Sequence, residues 1–578
     1  MAQYQHYIPQ FLLRNFSHPY QPPKGHGAKK KGHRHVEKGK HKGDKVLNVV
    51  DLTSDEPQLI EAPVSRWFGQ EEMYSDVFDT SKAKKDVEQE LSKLESQTAV
   101  ILQKVKKAHE NGDAGICLTR VERNKLRKFL FIMKYRGPGF FEKYISEDPQ
   151  AYTSEDKHSL RDYMAEKGFI TPRDVWLHNL RAILYLDMDA EGKWMTTLQD
   201  LMFPADASLF IFHAQYSYIA FCTPAEKDKE FILTDQGYNL FEGPTHNTFC
   251  AKTGDYVGDT YLCFHEFGPV SPRLIIILRS SALPEALEDK NSKVKKARQR
   301  MLYAASAQFP EPENVRSILE DLPVAKAMNS YSIVVNGRLE YAPGESGTPR
   351  SRDRFTFRFW PISTNHVNII NSIFLDNLLR CNSIVFGSRI PFRQTLEAYM
   401  TTQAHGFKKI DVGEYGAKTT RLVCLQKLAI VLKKLGVENV PIFSDETGKG
   451  SKPFTRSLDD DWLEVFKRMF EGGTSQTFLK DLEQSWRLYQ FESQIMKWTI
   501  GLESNLRKNA LTCVLDIILK HHPRRVWLYV KHLRWMTSKE YAMHQQKYVG
   551  TGPIYAAKTA SLFKQGIEDF IVKEMASR

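Results

Sequence analysis

Apolar residues recur at helical spacing in three stretches of the first 190 residues. Residues 82–110 carry a continuous apolar stripe and end before Asn111-Gly112, which predicts a long amphipathic helix. Thr119 and Glu122 match a capping box, so we expect a second helix from there to about Arg136. A third helix is predicted at Thr171-Pro172, since proline is favoured in the first turn of a helix.

The hydrophobic pattern then changes to short β-branched and aromatic runs bounded by Pro, Gly and Asp. These runs predict five strands, at residues 209–212, 216–223, 231–234, 261–264 and 274–278. Further strands are expected at 45–51, 354–359 and 383–387, and a helix is expected at 367–379. The predicted fold class is α+β, with a small, mostly antiparallel or mixed sheet flanked by helices.

Beyond residue 405 the pattern becomes helical again. Helices are predicted at residues 419–435, 460–470, 478–506, 511–520, 526–535 and 555–573. We therefore expect an α+β domain over residues 1–405 and an all-α C-terminal domain over residues 406–578.

Charge is concentrated in one segment rather than spread over the chain. The net charge is +12, and residues 24–45 hold nine Lys/Arg against Glu37 and Asp44, so 9 − 2 = +7 of it lies there. Residues 18–45 lack apolar periodicity, which predicts a disordered loop. Arg14, Lys29, Lys30, Lys31 and Arg34 are candidate contacts for a polyanion, either nucleic acid or an acidic protein.

Several protein classes are disfavoured by composition. The seven cysteines form no Cys-x-x-Cys pair, which is typical of a reduced, intracellular protein, cytoplasmic or nuclear. The first residues resemble no signal peptide, and the longest apolar runs are far shorter than the roughly 20 residues of a membrane span. We therefore expect a soluble protein without a membrane partner.

The most specific motif stands at the beginning, at His6-Tyr7-Ile8-Pro9-Gln10. It resembles the opening signature of the family called domain of unknown function 4238. The resemblance extends over roughly residues 3–390 and is carried further by short blocks in the family's order. These blocks are a mid-helix Glu95, Tyr135-Arg136-Gly137-Pro138, Thr234-Asp235, Gly268-Pro269-Val270-Ser271-Pro272, Asn371 and Phe386-Gly387-Ser388.

The chain departs from that pattern at one block. The family pattern is Thr-Ser-Asp-x-Pro, whereas here Asp235 directly follows Thr234 and no proline comes after it. The geometry of this turn is therefore open. The basic loop and the helical C-terminal third also lie outside the resemblance, which implies no particular activity.

Four residues in the matched blocks suggest a site: His6, Glu95, Arg136 and Asp235. An imidazole and two carboxylates are ligands that could hold a divalent metal, so His6, Glu95 and Asp235 are the candidate metal ligands. A neighbouring arginine could bind a phosphate through two hydrogen bonds. Together they would suit a metal-dependent phosphoesterase or a nuclease-like hydrolase, with the metal activating water.

The same four residues allow a structural interpretation. They could form a buried polar network that fixes the N-terminal helix to the sheet, with Glu95 and Arg136 as an ion pair and Asp235 capping a turn. The protein would then be a non-catalytic interaction protein that binds a protein or polyanion. The sequence leaves open whether the chain is an enzyme.

Overall fold

The structure, a computed structural model, describes residues 4–22, 41–71, 83–145, 157–250, 256–306, 309, 311, 314–410, 417–445 and 454–456. The chain divides into two compact units, Met1–Ser457 and Leu458–Arg578. All described residues belong to the first unit, so the predicted helices between residues 460 and 573 lie outside the described residues.

The α-helices are numbered in chain order. They are α1 Gln10–Leu13, α2 Ala83–Glu110, α3 Arg120–Tyr135, α4 Pro138–Ile145, α5 Lys157–Lys167, α6 Pro172–Tyr185, α7 Trp194–Leu201, α8 Pro204–Gln215, α9 Ser292–Ser306, α10 Thr364–Asp376, α11 Arg389–Thr401 and α12 Ala417–Lys434.

The strands are numbered in the same way. They are β1 Tyr4–His6, β2 His18–Pro19, β3 Lys45–Asp51, β4 Gln58–Pro63, β5 Gly69–Glu71, β6 Gly115–Thr119, β7 Ser217–Pro224, β8 Leu233–Thr234, β9 Phe241–Glu242, β10 Thr245–Cys250, β11 Tyr256–Tyr261, β12 His265–Ser271, β13 Leu274–Ser280, β14 Met328–Asn329, β15 Ser332–Val335, β16 Arg338–Tyr341, β17 Arg354–Ile362, β18 Ser383–Phe386, β19 Lys409–Ile410, β20 Ser444–Asp445 and β21 Phe454–Arg456.

A mixed sheet lies at the centre of the described fold. Its strand order is β14-β17-β7-β13-β12-β9, and β6 also pairs with β17. β17 runs parallel to β7, whereas β7, β13 and β12 pair antiparallel. The predicted α+β class with a mixed sheet is therefore confirmed.

The apolar run of β13 is explained by burial on both faces of this sheet. Successive side chains of a strand point to opposite faces. Leu274, Ile276 and Leu278 accordingly pack into a core that α2, α3, α6 and α8 share. Ile275 and Ile277 pack into a second core with α10, α11 and α12. The sheet is thus covered by helices on both sides.

A second, antiparallel sheet borders the second core. Its order is β2-β3-β18-β8, and β4 pairs with Val46–Asp51 of β3 along the opposite edge of that strand. Ile384 and Val385 of β18 are fully buried, and Ile384 lies opposite Thr234 of β8. This pairing brings the chain near residue 235 beside residues 382–383, which are almost 150 positions later.

The prediction of a strand at residues 209–212 is wrong. These residues belong to α8, which begins at Pro204 and carries Asp206 in its first turn. Ala207, Phe210 and Ala214 are buried at helical spacing, while Phe212 is exposed. The β-branched and aromatic character of the run was overridden because a helix lets one of its faces join the first core.

Two other predicted strands are shifted or shortened. Of residues 231–234, only Leu233 and Thr234 form a strand, although Phe231 and Ile232 are also buried. Of residues 261–264, Tyr261 ends β11, and β12 begins at His265. The structure confirms two of the predicted strands, which are observed at 217–224 and 274–280. It also confirms the capping boxes of α3 and α6.

The helix predicted at residues 419–435 is observed as α12. Leu425, Leu428, Val431 and Leu432 are buried and pack in the second core with α10 and α11. The predicted division at residue 405 and the predicted all-α domain beyond it stay predictions. The residues of the predicted basic loop between 23 and 40, including Lys29, Lys30, Lys31 and Arg34, lie outside the described residues.

Candidate functional site at the N-terminal segment

The N-terminal segment is held in place by backbone pairing and by apolar side chains. β1 pairs antiparallel with β5, so that His6 lies opposite Gly69. Beyond it, Tyr7 N and Ile8 N both donate to Phe68 O. Leu12 and Leu13 of α1 are fully buried in the first core. Pro9 is the N-cap rather than a residue of the helix, which begins at Gln10.

His6 is oriented by hydrogen bonds at both ring nitrogens. Nδ1 lies 2.9 Å from Trp67 O, and because a carbonyl only accepts, Nδ1 carries the proton. Nε2 lies 3.1 Å from Nε2 of Gln10, whose amide donates to it. The ring is therefore in its neutral form with a basic lone pair at Nε2, and burial lowers the pKa of His6 below its usual 6.5.

Glu95 and Arg136 form the second pair of the site. Glu95 lies in the middle of α2, and Arg136 follows the last residue of α3, where it is the C-cap. Arg136 Nη1 donates to Glu95 Oε1 over 2.6 Å. The Arg136 side chain is 2 % exposed and the Glu95 side chain is 27 % exposed, so the carboxylate is the part of the pair that a solute can reach.

His6 lies within electrostatic reach of this pair. The Glu95 carboxylate raises the pKa of His6 and the Arg136 guanidinium lowers it, both by less than burial does. The structure therefore brings together three of the four residues that the family resemblance suggested. They come from a strand end, a helix middle and a helix end that are separated by 130 positions of sequence.

Arg14 extends this group of side chains to the surface. Its Nη2 donates to Gln10 Oε1 over 3.1 Å, and Gln10 in turn donates to His6. Arg14 is exposed, so its guanidinium is accessible to an anion. We call His6, Gln10, Arg14, Glu95 and Arg136 the N-terminal polar cluster.

Asp235 is not part of this cluster. Its Oδ1 accepts from the backbone and the hydroxyl of Ser383, at 3.0 Å each, and its Oδ2 accepts from Asn382 N at 3.1 Å. The residue is 7 % exposed, and burial raises its pKa while these hydrogen bonds oppose the rise. Asp235 therefore ties the end of β8 to the start of β18.

The proposed metal ligands are consequently not gathered in one place. Among the described residues, no group of three or more His, Cys, Asp or Glu side chains is arranged to hold a metal ion. His6, Glu95 and Asp235 are all described, and both oxygens of Asp235 accept hydrogen bonds from residues 382 and 383. The physical reason is the pairing of β8 with β18, which carries Asp235 to the second sheet.

Other residues of the family pattern act with Asp235 on the same segment. Asn371 of α10 accepts from Ile232 N and donates to Glu230 O, at 3.2 and 2.8 Å. The Glu230 carboxylate accepts from the backbone and hydroxyl of Ser388, at 2.8 Å each. These residues join three separate parts of the fold, so their role in the structure is explained without a ligand.

The sequence analysis missed two groups of the cluster. Trp67 O, which fixes the His6 tautomer, is a backbone atom, and no sequence pattern marks it. Gln10 lies inside the His6–Gln10 motif, and its position four residues before Arg14 is a usable signal, since residues four apart in a helix are neighbours. His6 precedes the helix, so helical spacing does not predict its contact with Gln10.

Comparison with known proteins gives the family. A family profile described as a protein of unknown function, DUF4238, matches residues 4–389. The chain belongs to the DUF4238 family. No curated protein and no solved structure matched this DUF4238 member. The matched range includes the whole N-terminal polar cluster and the Asp235 segment.

None of the described helices of this DUF4238 member is long and apolar enough to cross a bilayer.

Proposed function

We propose that the N-terminal polar cluster is the site of a phosphoester hydrolase. The observation that carries the proposal is the state of His6. It is a neutral imidazole whose proton is fixed on Nδ1 by Trp67 O, and the charges of Glu95 and Arg136 act on its pKa. A half-buried neutral histidine near a carboxylate and two arginines is suited to proton transfer at neutral pH.

The residues of the cluster have different roles in the proposed reaction. Arg14 is exposed and binds the phosphate oxygens, for which a guanidinium is well matched. His6 Nε2 takes a proton from water as the water oxygen attacks phosphorus. The bond from phosphorus to the leaving alkoxide breaks, and solvent protonates the alkoxide. Gln10 moves aside from Nε2 to admit the water.

Glu95 and Arg136 have supporting roles. The Glu95 carboxylate faces solvent and stabilises the imidazolium that forms when His6 takes the proton. Arg136 is almost fully buried and does not reach the substrate, so it is a positioning residue that holds Glu95. Truncating Arg136 would leave a partly buried carboxylate without its partner, which costs more than the ion pair itself contributes.

A divalent metal enters this proposal only with the substrate. Mg²⁺ is commonly held by one or two carboxylates together with substrate phosphates. Glu95 could supply one such oxygen, whereas Asp235 could not without breaking its bonds to residues 382–383. The proposed mechanism does not require a metal, and the assay therefore measures activity with and without one.

The test is hydrolysis of p-nitrophenyl phosphate and bis-p-nitrophenyl phosphate by the full chain, with Mg²⁺, with Mn²⁺ and with chelator. We expect activity in the wild type and a loss of about 10²–10⁴-fold in kcat for His6→Gln, the range for removal of a general base. His18→Gln is the matched control, because His18 is half-exposed and paired with Glu61 outside the cluster.

The outcomes separate the two functions under consideration. Hydrolysis that survives in His6→Gln would contradict the assigned role of the residue. Absence of hydrolysis of both substrates in all three conditions would contradict the phosphoesterase proposal. The second candidate, a non-catalytic protein that binds a polyanion, would then be favoured by the +7 charge of residues 24–45.

A further inference from the structure

A second group of cationic side chains lies at the other end of α3, where Arg120, Arg123 and Arg127 follow each other along one side of the helix. Positions three and four apart in a helix are neighbours on its surface. Arg136 lies 13 residues beyond Arg123, so the two groups are separated by about 20 Å along the helix axis. This group is therefore distinct from the N-terminal polar cluster.

Arg120 is the one member of the three that has a carboxylate partner among the described residues. Its Nη2 donates to Asp353 over 2.7 Å, and Asp353 also pairs with Arg350, which in turn pairs with Glu345. Four arginines thus share two carboxylates, so that 4 − 2 = +2 charges are left over. The excess lies on Arg123 and Arg127.

The hydrogen bonds of Arg123 and Arg127 are few for half-buried guanidiniums. Arg123 Nη2 contacts Asn124 Oδ1 at 3.3 Å, and its Cζ lies 3.8 Å from the centre of the Phe355 ring. Arg127 Nη2 donates to Ser217 O over 3.1 Å. The Nε of each is buried without a partner among the described residues. Each guanidinium therefore retains unused donors, since it has five N–H groups.

The two side chains also repel each other. Burial, and after it the charges of Arg127 and Arg120, lower the pKa of Arg123. Burial and the charge of Arg120 lower the pKa of Arg127. An arginine is not deprotonated in proteins, so the two positive charges remain and an anion bound there would be stabilised by both.

An exposed aromatic pair lies at the end of α8. Phe212 and Tyr216 of the α8 end are 47 % and 46 % exposed, and their rings stack with centres 5.0 Å apart. Tyr216 directly precedes Ser217, whose carbonyl accepts from Arg127. Nucleobases stack on such rings with little dependence on base identity.

We propose that Arg123, Arg127 and the Phe212–Tyr216 pair form a mononucleotide-binding site. The phosphate is bound by the two guanidiniums, and the base lies against the exposed rings. Phe355 accounts for the position of one face of Arg123, through a cation–π contact. It does not account for the donors at the edges of both guanidiniums, which a phosphate would satisfy.

The test is isothermal titration calorimetry of the full chain with AMP, ribose 5-phosphate and inorganic phosphate. We expect AMP to bind more tightly than ribose 5-phosphate. Arg123→Gln and Arg127→Gln should each weaken the binding of both by about tenfold or more, the effect of losing a charged hydrogen-bond partner. Tyr216→Ala should weaken AMP by about tenfold and leave ribose 5-phosphate unchanged.

Two control variants make the result specific. Arg338→Gln removes an exposed arginine of β16 and should leave AMP binding unchanged. His6→Gln should also leave it unchanged, so that failure of the hydrolase proposal does not affect this one. Thermal unfolding by circular dichroism identifies any variant that is not folded, and Tyr216→Ala at an exposed position remains informative in that case.

Three results would overturn the proposal. The first is no AMP binding to the wild type at millimolar concentration. The second is AMP binding that both arginine variants retain, and the third is AMP binding that His6→Gln abolishes. Equal affinities for AMP and ribose 5-phosphate, with no effect of Tyr216→Ala, would contradict the nucleotide assignment.

Discussion

At the scale of the residue, His6 illustrates how a backbone atom sets side-chain chemistry. Its tautomer follows from one carbonyl, Trp67 O, which lies 2.9 Å from Nδ1. Burial favours the neutral form, since charging a half-buried imidazole is costly. The hydrogen bond to Trp67 O and the charge of Glu95 raise the pKa of His6, and Arg136 lowers it. The net effect is a lowered pKa, so the imidazole is neutral at neutral pH and Nε2 can act as a base.

Asp235 offers the first prediction, because its environment is structural. In Asp235→Asn, the new amide group would present a donor to backbone N–H groups that need an acceptor. We expect a loss of about 1–3 kcal/mol in the free energy of unfolding, measured by urea denaturation at pH 7. Phosphoesterase activity per folded molecule should be unchanged.

The matched control for this variant is Asp200→Asn. Asp200 is exposed near the end of α7, so the change there should fall within about 0.5 kcal/mol. If Asp235→Asn abolished activity and left stability unchanged, Asp235 would be a catalytic residue, contrary to its place beside β18.

At the scale of the element, the sequence was informative where local signals agreed. α2 and the capping boxes of α3 and α6 were predicted because apolar spacing and capping residues point to the same structure. The start of α8 carried equivalent signals, since Pro204 and Asp206 are typical of a first helical turn. The aromatic run that follows favours a strand by propensity, and the prediction of a strand is wrong there.

The site could be predicted only in part for a related reason. His6, Glu95 and Arg136 were suggested by family resemblance, and no local pattern implies that they meet. Asp235 was placed correctly at a strand end, but its neighbours depend on which strand pairs with β8. That strand is β18, and such pairings between distant segments are not encoded locally.

At the scale of the whole molecule, the central sheet separates two cores and positions the two proposed sites. Both sites lie along α3, which packs on one face of that sheet in the first core. The N-terminal polar cluster is at its C-terminal end, and the arginine pair is near its start. Ligand binding at one end can therefore be tested independently of the other.

Charge distribution gives the prediction at this scale. Replacing Lys29, Lys30, Lys31 and Arg34 by glutamine lowers the net charge from +12 to 12 − 4 = +8. We expect elution from a heparin column at lower salt, because binding to polyanions depends on the number of neutralised charges. Urea unfolding should be unchanged within about 0.5 kcal/mol.

The comparison variant carries the same charge change elsewhere. Replacing four exposed lysines of other segments, Lys93, Lys167, Lys227 and Lys433, by glutamine should lower the eluting salt concentration less. Equal effects of the two variants would mean that total charge, rather than the segment at 24–45, determines polyanion binding.

A titration of His6 is the most direct test of the N-terminal polar cluster. It tests whether His6 shares one environment with Glu95 and Arg136 and not with Asp235. Selective ¹³C labelling of histidine Cε1 permits the measurement by NMR, and His6→Gln assigns the signal. The pKa of His6 should lie below 6.5 in the wild type.

Variants of the neighbouring residues show in which direction each of them shifts the pKa of His6. Glu95→Gln removes the anion that favours the imidazolium and should lower the pKa of His6 further. Arg136→Gln removes a cation and should raise it, whereas Asp235→Asn should leave it unchanged. A His6 that titrates at or above 6.5, does not respond to Glu95→Gln and responds to Asp235→Asn would contradict the proposed cluster.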